Sequence, residues 1–134
     1  MHLTSAVTFV SDLDRSVAFY CDLFGLTCAI LDESAALLVG PENCELYLRG
    51  KHAQPSRVLG SVGIQYLMWS AESAEEFQRC EEALRRESIH VRRERLDDFE
   101  ILEGRDPDNL PIMIAFPGPD ESERHAIMPR IYSW

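Results

Sequence analysis

One succession of hydrophobic patterns runs through this chain twice, and any fold has to accommodate both copies. Residues 5–10 alternate, with Ser5, Val7 and Phe9 on one face and Ala6, Thr8 and Val10 on the other, which predicts a strand. "SDLD" then offers Ser11 or Asp12 as a helix cap, Leu13, Val17, Tyr20 and Phe24 recur at helical spacing, and Gly25 is placed to stop the helix. Three strand-like runs follow, "LTCAIL", "AALLVG" and "CELYLRG", separated by the turn chemistry of "DES" and "GPEN". After a polar stretch from Lys51 to Ser61 the order repeats. "VGIQYLMW" reads as a strand, Ser73 to Glu76 as a capping box, and Phe77, Cys80 and Leu84 as one helical face. "IHVRRE", "DFEILEG" and "LPIMIAF" are three more strands, with the local basic run "HVRRER" on a solvated one.

The predicted organisation is therefore βαβββ, linker, βαβββ, tail. Residues 1–134 form one domain: module one over about 3–50, a linker at 51–61, module two over about 62–116 and a tail at 117–134. The fold class is α+β. Each module has one helix to cover one face of its strands. The other faces are left to form a concave, half-open mixed-sheet cleft with the helices outside.

Composition narrows the partners. Acids outnumber bases 23 to 13, a net charge of -10, which repels nucleic acid and anionic lipid and attracts cations. There is no run of eighteen apolar residues and no basic, then apolar, leader at the N-terminus, so no membrane is expected and the cytoplasm is the default location. Cys21, Cys28, Cys44 and Cys80 form no CxxC pair and read as reduced, mostly buried thiols.

"VSDLDRSVAFYCDLFGL" resembles the first-module signature of the vicinal oxygen chelate superfamily, which includes glyoxalase I, extradiol dioxygenases, fosfomycin-resistance enzymes and bleomycin-resistance proteins. "GRDPDNLPIMI" resembles its final strand, where the usual reading is aspartate-proline-aspartate-glycine-asparagine. The resemblance covers about residues 3–116. It implies a cleft between the two modules and, in metal-dependent members, four ligands projecting into it. On that resemblance, a gapless match from "VSDL" places the first at Ser5, the strand "CELYLRG" the second at Glu45, the count back from Phe77 the third at Gln65 (or Tyr66 if that strand slips by one), and the final strand the fourth at Met113.

As chemistry, this set is weak. Serine is a poor neutral ligand, a thioether is soft, and one carboxylate with one amide makes no tight site for a hard divalent ion. His2, His52, His90 and His125 stand away from these positions. No metal and no other cofactor is expected.

The same parity lines the cleft with Val7 and Phe9, with Glu45, Tyr47 and Arg49, with Gln65, Leu67 and Trp69, and with Pro111, Met113 and Ala115. That face is apolar and aromatic with a few polar groups, the usual make-up of an organic-ligand site. Phe9, Leu67 and Trp69 suit a core or a dimer interface equally. The expected function is metal-free binding of a small organic ligand, aromatic or cationic, through Phe9, Glu45, Tyr47, Arg49, Gln65, Leu67, Trp69 and Met113. A homodimer is implied by the resemblance. The alternative is a lyase, isomerase or dioxygenase, metal-dependent or acid/base, for which Glu45 is the candidate catalytic group. A third reading is a catalytically empty module whose tail binds a partner.

Overall fold

The computed structural model describes residues 4–41, 44–50, 63–88, 90–96, 98–119, 127 and 129. The chain is α+β and forms two compact units, divided between Ser56 and Arg57. That boundary falls within the stretch read as a linker, which itself lies outside the described residues.

The first unit runs β1 (Ser5–Val10), α1 (Leu13–Phe24), β2 (Thr27–Leu31), β3 (Ala35–Val39) and β4 (Glu45–Gly50). Its sheet has the order β1-β4-β3-β2, with β1 parallel to β4 and the other pairs antiparallel. The two caps of α1 follow from residue type. Asp12 Oδ1 accepts the Arg15 N–H at 3.0 Å. Gly25 takes a left-handed φ of 65°, which costs a glycine nothing and ends the helix. Ser16, Phe19, Tyr20 and Leu23 are the buried stripe. The expected face of Leu13, Val17, Tyr20 and Phe24 is thus rotated, and Leu13, Val17 and Phe24 lie at its half-buried edge. The small Ser16 at the centre of the stripe needs little room beneath the helix. Tyr20 holds the aromatic cluster, edge-on to Phe19 at 5.1 Å and stacked on Phe24 at 6.1 Å. Beneath α1 lie Val10, Ala36, Leu38, Leu46 and Leu48, all buried. Each buried leucine contributes roughly 2 kcal/mol by its removal from water.

A tight turn closes the β2–β3 hairpin. Asp32 Oδ1 accepts the Ser34 and Ala35 N–H groups at 2.9 and 2.8 Å. These backbone donors hold the Asp32 carboxyl below its ordinary value.

The second unit runs β5 (Leu67–Ser70), α2 (Ala74–Glu87), β6 (Arg92–Leu96), β7 (Phe99–Arg105) and β8 (Pro111–Phe116). The sheet order is β5-β8-β7-β6, the same topology as in the first unit. Two strands are shorter at their starts than their patterns predict. β5 begins at Leu67, with Gly63 to Tyr66 ahead of it outside the strand, and β6 at Arg92, with His90 and Val91 outside it; Val62 and Ile89, where the patterns begin, lie outside the described residues. Ahead of β5, Gly63 has a φ of 132° and its carbonyl accepts from Gln65 Nε2 at 3.0 Å. The cap of α2 is as predicted on one side: Ser73 Oγ accepts the Glu76 N–H at 3.1 Å. The Glu76 carboxylate reaches back one residue further than a standard capping box, to the Glu72 N–H at 2.8 Å. Phe77, Cys80, Ala83 and Leu84 are buried against the sheet. Gly104 lets α2 come close, because a Cβ there would meet Leu84 Cδ2 at 2.9 Å. Arg93 ties β6 to the helix. It bonds Glu81 at 2.8 Å and Glu100 at 2.6 Å, and its guanidinium lies 4.9 Å from the Phe77 ring centre.

"RDPDN" forms the turn into β8. Asp106, itself buried, accepts the Asp108 and Leu110 N–H groups at 2.9 and 2.7 Å. Asn109 adopts a left-handed φ of 69°, a conformation asparagine tolerates better than other side chains and glycine best of all. It stands where the superfamily signature has glycine.

Candidate functional site

Strand alternation in the first unit separates two chemistries. β1 and β4 run in parallel register, so Ser5 lies opposite Glu45, Val7 opposite Tyr47, and Phe9 opposite Arg49. On the other side of β4, Val39 lies opposite Glu45, Leu37 opposite Tyr47, and Ala35 opposite Arg49. Side chains in register share a face, so all nine lie on the side away from α1. The α1 side carries the core residues Leu46 and Leu48. The face parity expected for β1 and β4 therefore holds, including β1, whose more apolar side points away from its helix.

This second face is open. Val7 is 60% exposed, Phe9 55% and Tyr47 37%. Ile30, in register with Leu37, extends the apolar surface onto β2 and is 58% exposed. The Arg49 guanidinium lies 5.7 Å from the centre of the Phe9 ring, within cation–π range. Glu45 is half-buried at the other end of the same strand.

In the second unit, the face of β8 that carries Met113 is closed. Met113 is fully buried in a cluster with Phe99, Ile101, Ala115 and Ile127, and Tyr66, Met68 and Leu96 pack against it. The opposite face, with Ile112, Ile114 and Phe116, receives α2 through the Phe77–Phe116 ring contact at 6.0 Å. That division matches the expected parity of β8.

The parity of β5 does not match expectation. Met68 pairs with Met113, while Leu67 pairs with Ile112 and Trp69 with Ile114. Leu67 and Trp69 thus stand on the α2 side of the sheet, not beside Met113. Gln65 precedes the strand, and Tyr66, the one-residue slip, is the residue packed against Met113's cluster. The physical reason is that β5 is partly buried on both faces, so its apolar residues carry no alternation to fix the register. Burial raises the pKa of the Tyr66 hydroxyl.

Ile127 has no forewarning in the sequence, because it lies in a tail without periodicity. Leu37, Val39 and Ile30 also escape notice, although the pairing of β3 with β4 places the first two once the hairpin register is known. Of the cysteines only Cys80 is fully buried. Cys21, Cys28 and Cys44 are half-buried. The Cys21 thiol is raised by burial and then by the neighbouring Cys28, and Cys44 by burial. His90 is exposed ahead of β6, whereas His2, His52 and His125 lie outside the described residues. Among the described residues, no three His, Cys, Asp or Glu side chains come together as a metal-binding group, and no helix is long and apolar enough to cross a membrane.

Comparison with known proteins agrees with this architecture. The family model of the Glyoxalase/Bleomycin resistance protein/Dioxygenase superfamily matches residues 2–114. Among solved structures, the chain is similar to a glyoxylase/bleomycin resistance protein/dioxygenase domain from Frankia sp. EAN1pec. The TM-score is 0.76 at 21% identity, over 87% of this chain and 98% of that one. A glyoxalase/dioxygenase from Nostoc punctiforme gives a TM-score of 0.72 at 16% identity, over 89% and 92% of the two chains. A lactoylglutathione lyase from Agrobacterium tumefaciens gives 0.62 at 21% identity, over 85% and 92%. At these identities the likeness is one of fold. No curated protein matches the chain. The chain belongs to the Glyoxalase/Bleomycin resistance protein/Dioxygenase superfamily.

Proposed function

We propose that this member of the glyoxalase/bleomycin resistance/dioxygenase superfamily binds a small organic molecule on the open sheet face of its first unit, and does so without a catalytic metal. The observation that carries the reading is the set of large apolar side chains, Val7, Phe9 and Tyr47, left exposed side by side on the face that α1 does not cover. Exposing such a surface is unfavourable in water, and a flat apolar ligand laid over it recovers that free energy. Glu45 and Arg49 add polar anchors at its ends, the composition expected of a ligand site.

The residues at the superfamily's metal positions do not fit a divalent ion. Ser5 and Glu45 are strand neighbours and supply one hydroxyl and one carboxylate. Met113 supplies a soft thioether, sealed among apolar side chains. Gln65 precedes β5 and bonds its amide to the Gly63 carbonyl. Imidazole nitrogen and further carboxylate oxygen, the donors that first-row divalent ions favour, are missing from this set.

Two measurements on the purified chain test the reading. Elemental analysis is expected to find nickel, manganese, iron and zinc well below one equivalent. Calorimetric titration with a panel of flat aromatic and cationic compounds is expected to find binding that weakens in Phe9→Ala. One equivalent of metal that disappears in Glu45→Gln would overturn the proposal in favour of a metal-dependent enzyme.

A further inference from the structure

We infer that the ligand of this face is an elongated zwitterion: a flat apolar body with an ammonium group at one end and a carboxylate at the other. It would lie along β4 with its cation at Glu45 and its anion at Arg49. This rests on the small-molecule reading above and names the class of molecule.

Glu45, Tyr47 and Arg49 alternate onto one face, so the acid and the base are separated by four residues of strand, about 13 Å between Cα atoms. β4 is paired on both sides, with β1 and β3, and this fixes the separation as a ruler. Among the described residues, neither charge has a counter-ion opposite it on the neighbouring strands. Glu45 is flanked by Ser5 and Val39, and Arg49 by Phe9 and Ala35. On the second unit, by contrast, Arg85 pairs with Glu81, and Arg93 with both Glu81 and Glu100. Among the described residues, Arg49 rests on an aromatic ring rather than on an acid. A guanidinium stacked on a ring keeps its N–H fork free at the edge, the geometry that receives a carboxylate in two parallel bonds.

Between the two charges lie Val7, Leu37 and Tyr47, in register across three strands. They form an uncharged strip suited to a flat body and unsuited to a charge in its middle. The net charge of -10 favours approach of the ammonium end. The anionic end then needs a specific cation, and Arg49 supplies it.

The test uses the full chain and four probes that share a biphenyl body. One is a biphenyl carboxylate with a para-aminomethyl group on the distal ring. The others are its methyl ester (cation only), the analogue with methyl in place of aminomethyl (anion only), and the methyl ester of that analogue (neutral). Affinities come from calorimetry, and the site from backbone chemical shifts of β1 and β4. The zwitterion is expected to bind about tenfold tighter than the neutral probe, each exposed ion pair adding up to about fivefold. Glu45→Gln should erase the advantage of the amine and Arg49→Gln that of the carboxylate, each variant keeping the parent's circular dichroism and melting temperature. Equal affinities for all four probes on this face would overturn the inference and leave the small-molecule reading standing. An advantage of the zwitterion that survives both substitutions would overturn it as well. Absence of any shift on β1 and β4 with every probe would overturn both.

Discussion

Ser16 lies fully buried where α1 meets its sheet, and its hydroxyl has no hydrogen-bond partner among the described residues. A buried hydroxyl without a partner loses its hydration for nothing, and serine is also a weaker helix former than alanine. Ser16→Ala is expected to raise stability by about 1 kcal/mol, read from the urea midpoint at unchanged slope. Met113 poses the opposite case. Its position was legible, because the final-strand signature points to it, but its surroundings were not: nothing in "LPIMIAF" tells that the face opposite α2 is closed by Ile127. Met113→Glu puts an acid at the position that the superfamily resemblance assigns to a ligand. Here it would place a carboxylate inside an apolar cluster, at an expected cost of about 3 kcal/mol or more. Thermal melting checks this, and a variant as stable as the parent would show that the cluster opens readily to solvent.

At the scale of elements, legibility tracked how one-sided the burial is. α1 and α2 announce themselves by caps and spacing, and β4 by strict alternation of Glu45, Tyr47 and Arg49 with Leu46 and Leu48. β5 is partly buried on both faces, so the count that put Gln65, Leu67 and Trp69 beside Met113 had no internal check. β6 has the reverse property: it is mostly polar, it pairs with β7 along its length, and the ion pairs of Arg93 add a tie to α2. Those pairs have a pH signature. Burial alone would raise the Glu81 carboxyl, but the hydrogen bonds and charges of Arg93 and Arg85 outweigh it, and the pKa falls below its ordinary 4.5. Unfolded, the group takes up its proton first as pH drops. Its stabilisation is therefore present above about pH 4.5 and is lost as pH falls through the lower value of the folded chain. In Glu81→Gln, stability at neutral pH should drop by about 1 kcal/mol and its decline with acid should flatten. Urea denaturation at a series of pH values checks both, and parallel curves for variant and parent would refute the assignment.

Across the whole molecule, the duplicated βαβββ order was the most legible property, because it needs only turn chemistry and two helical stripes. It recurs in both units with the same sheet topology. The site was half legible. The first unit's face follows from alternation alone, with Ser5 and Glu45 in register as neighbours. The second unit's face depends on a register that a doubly buried strand leaves undetermined, and on one residue of an aperiodic tail. The two faces differ accordingly: one exposes Val7, Phe9 and Tyr47, and the other buries Met113.

The proposed binding surface is the first unit's open face. Backbone chemical-shift mapping of the isotope-labelled chain at saturation with a flat aromatic ligand tests it most directly. The largest changes are expected on Val7, Phe9, Glu45, Tyr47 and Arg49. Changes confined to β5–β8, or none on β1 and β4, would contradict it.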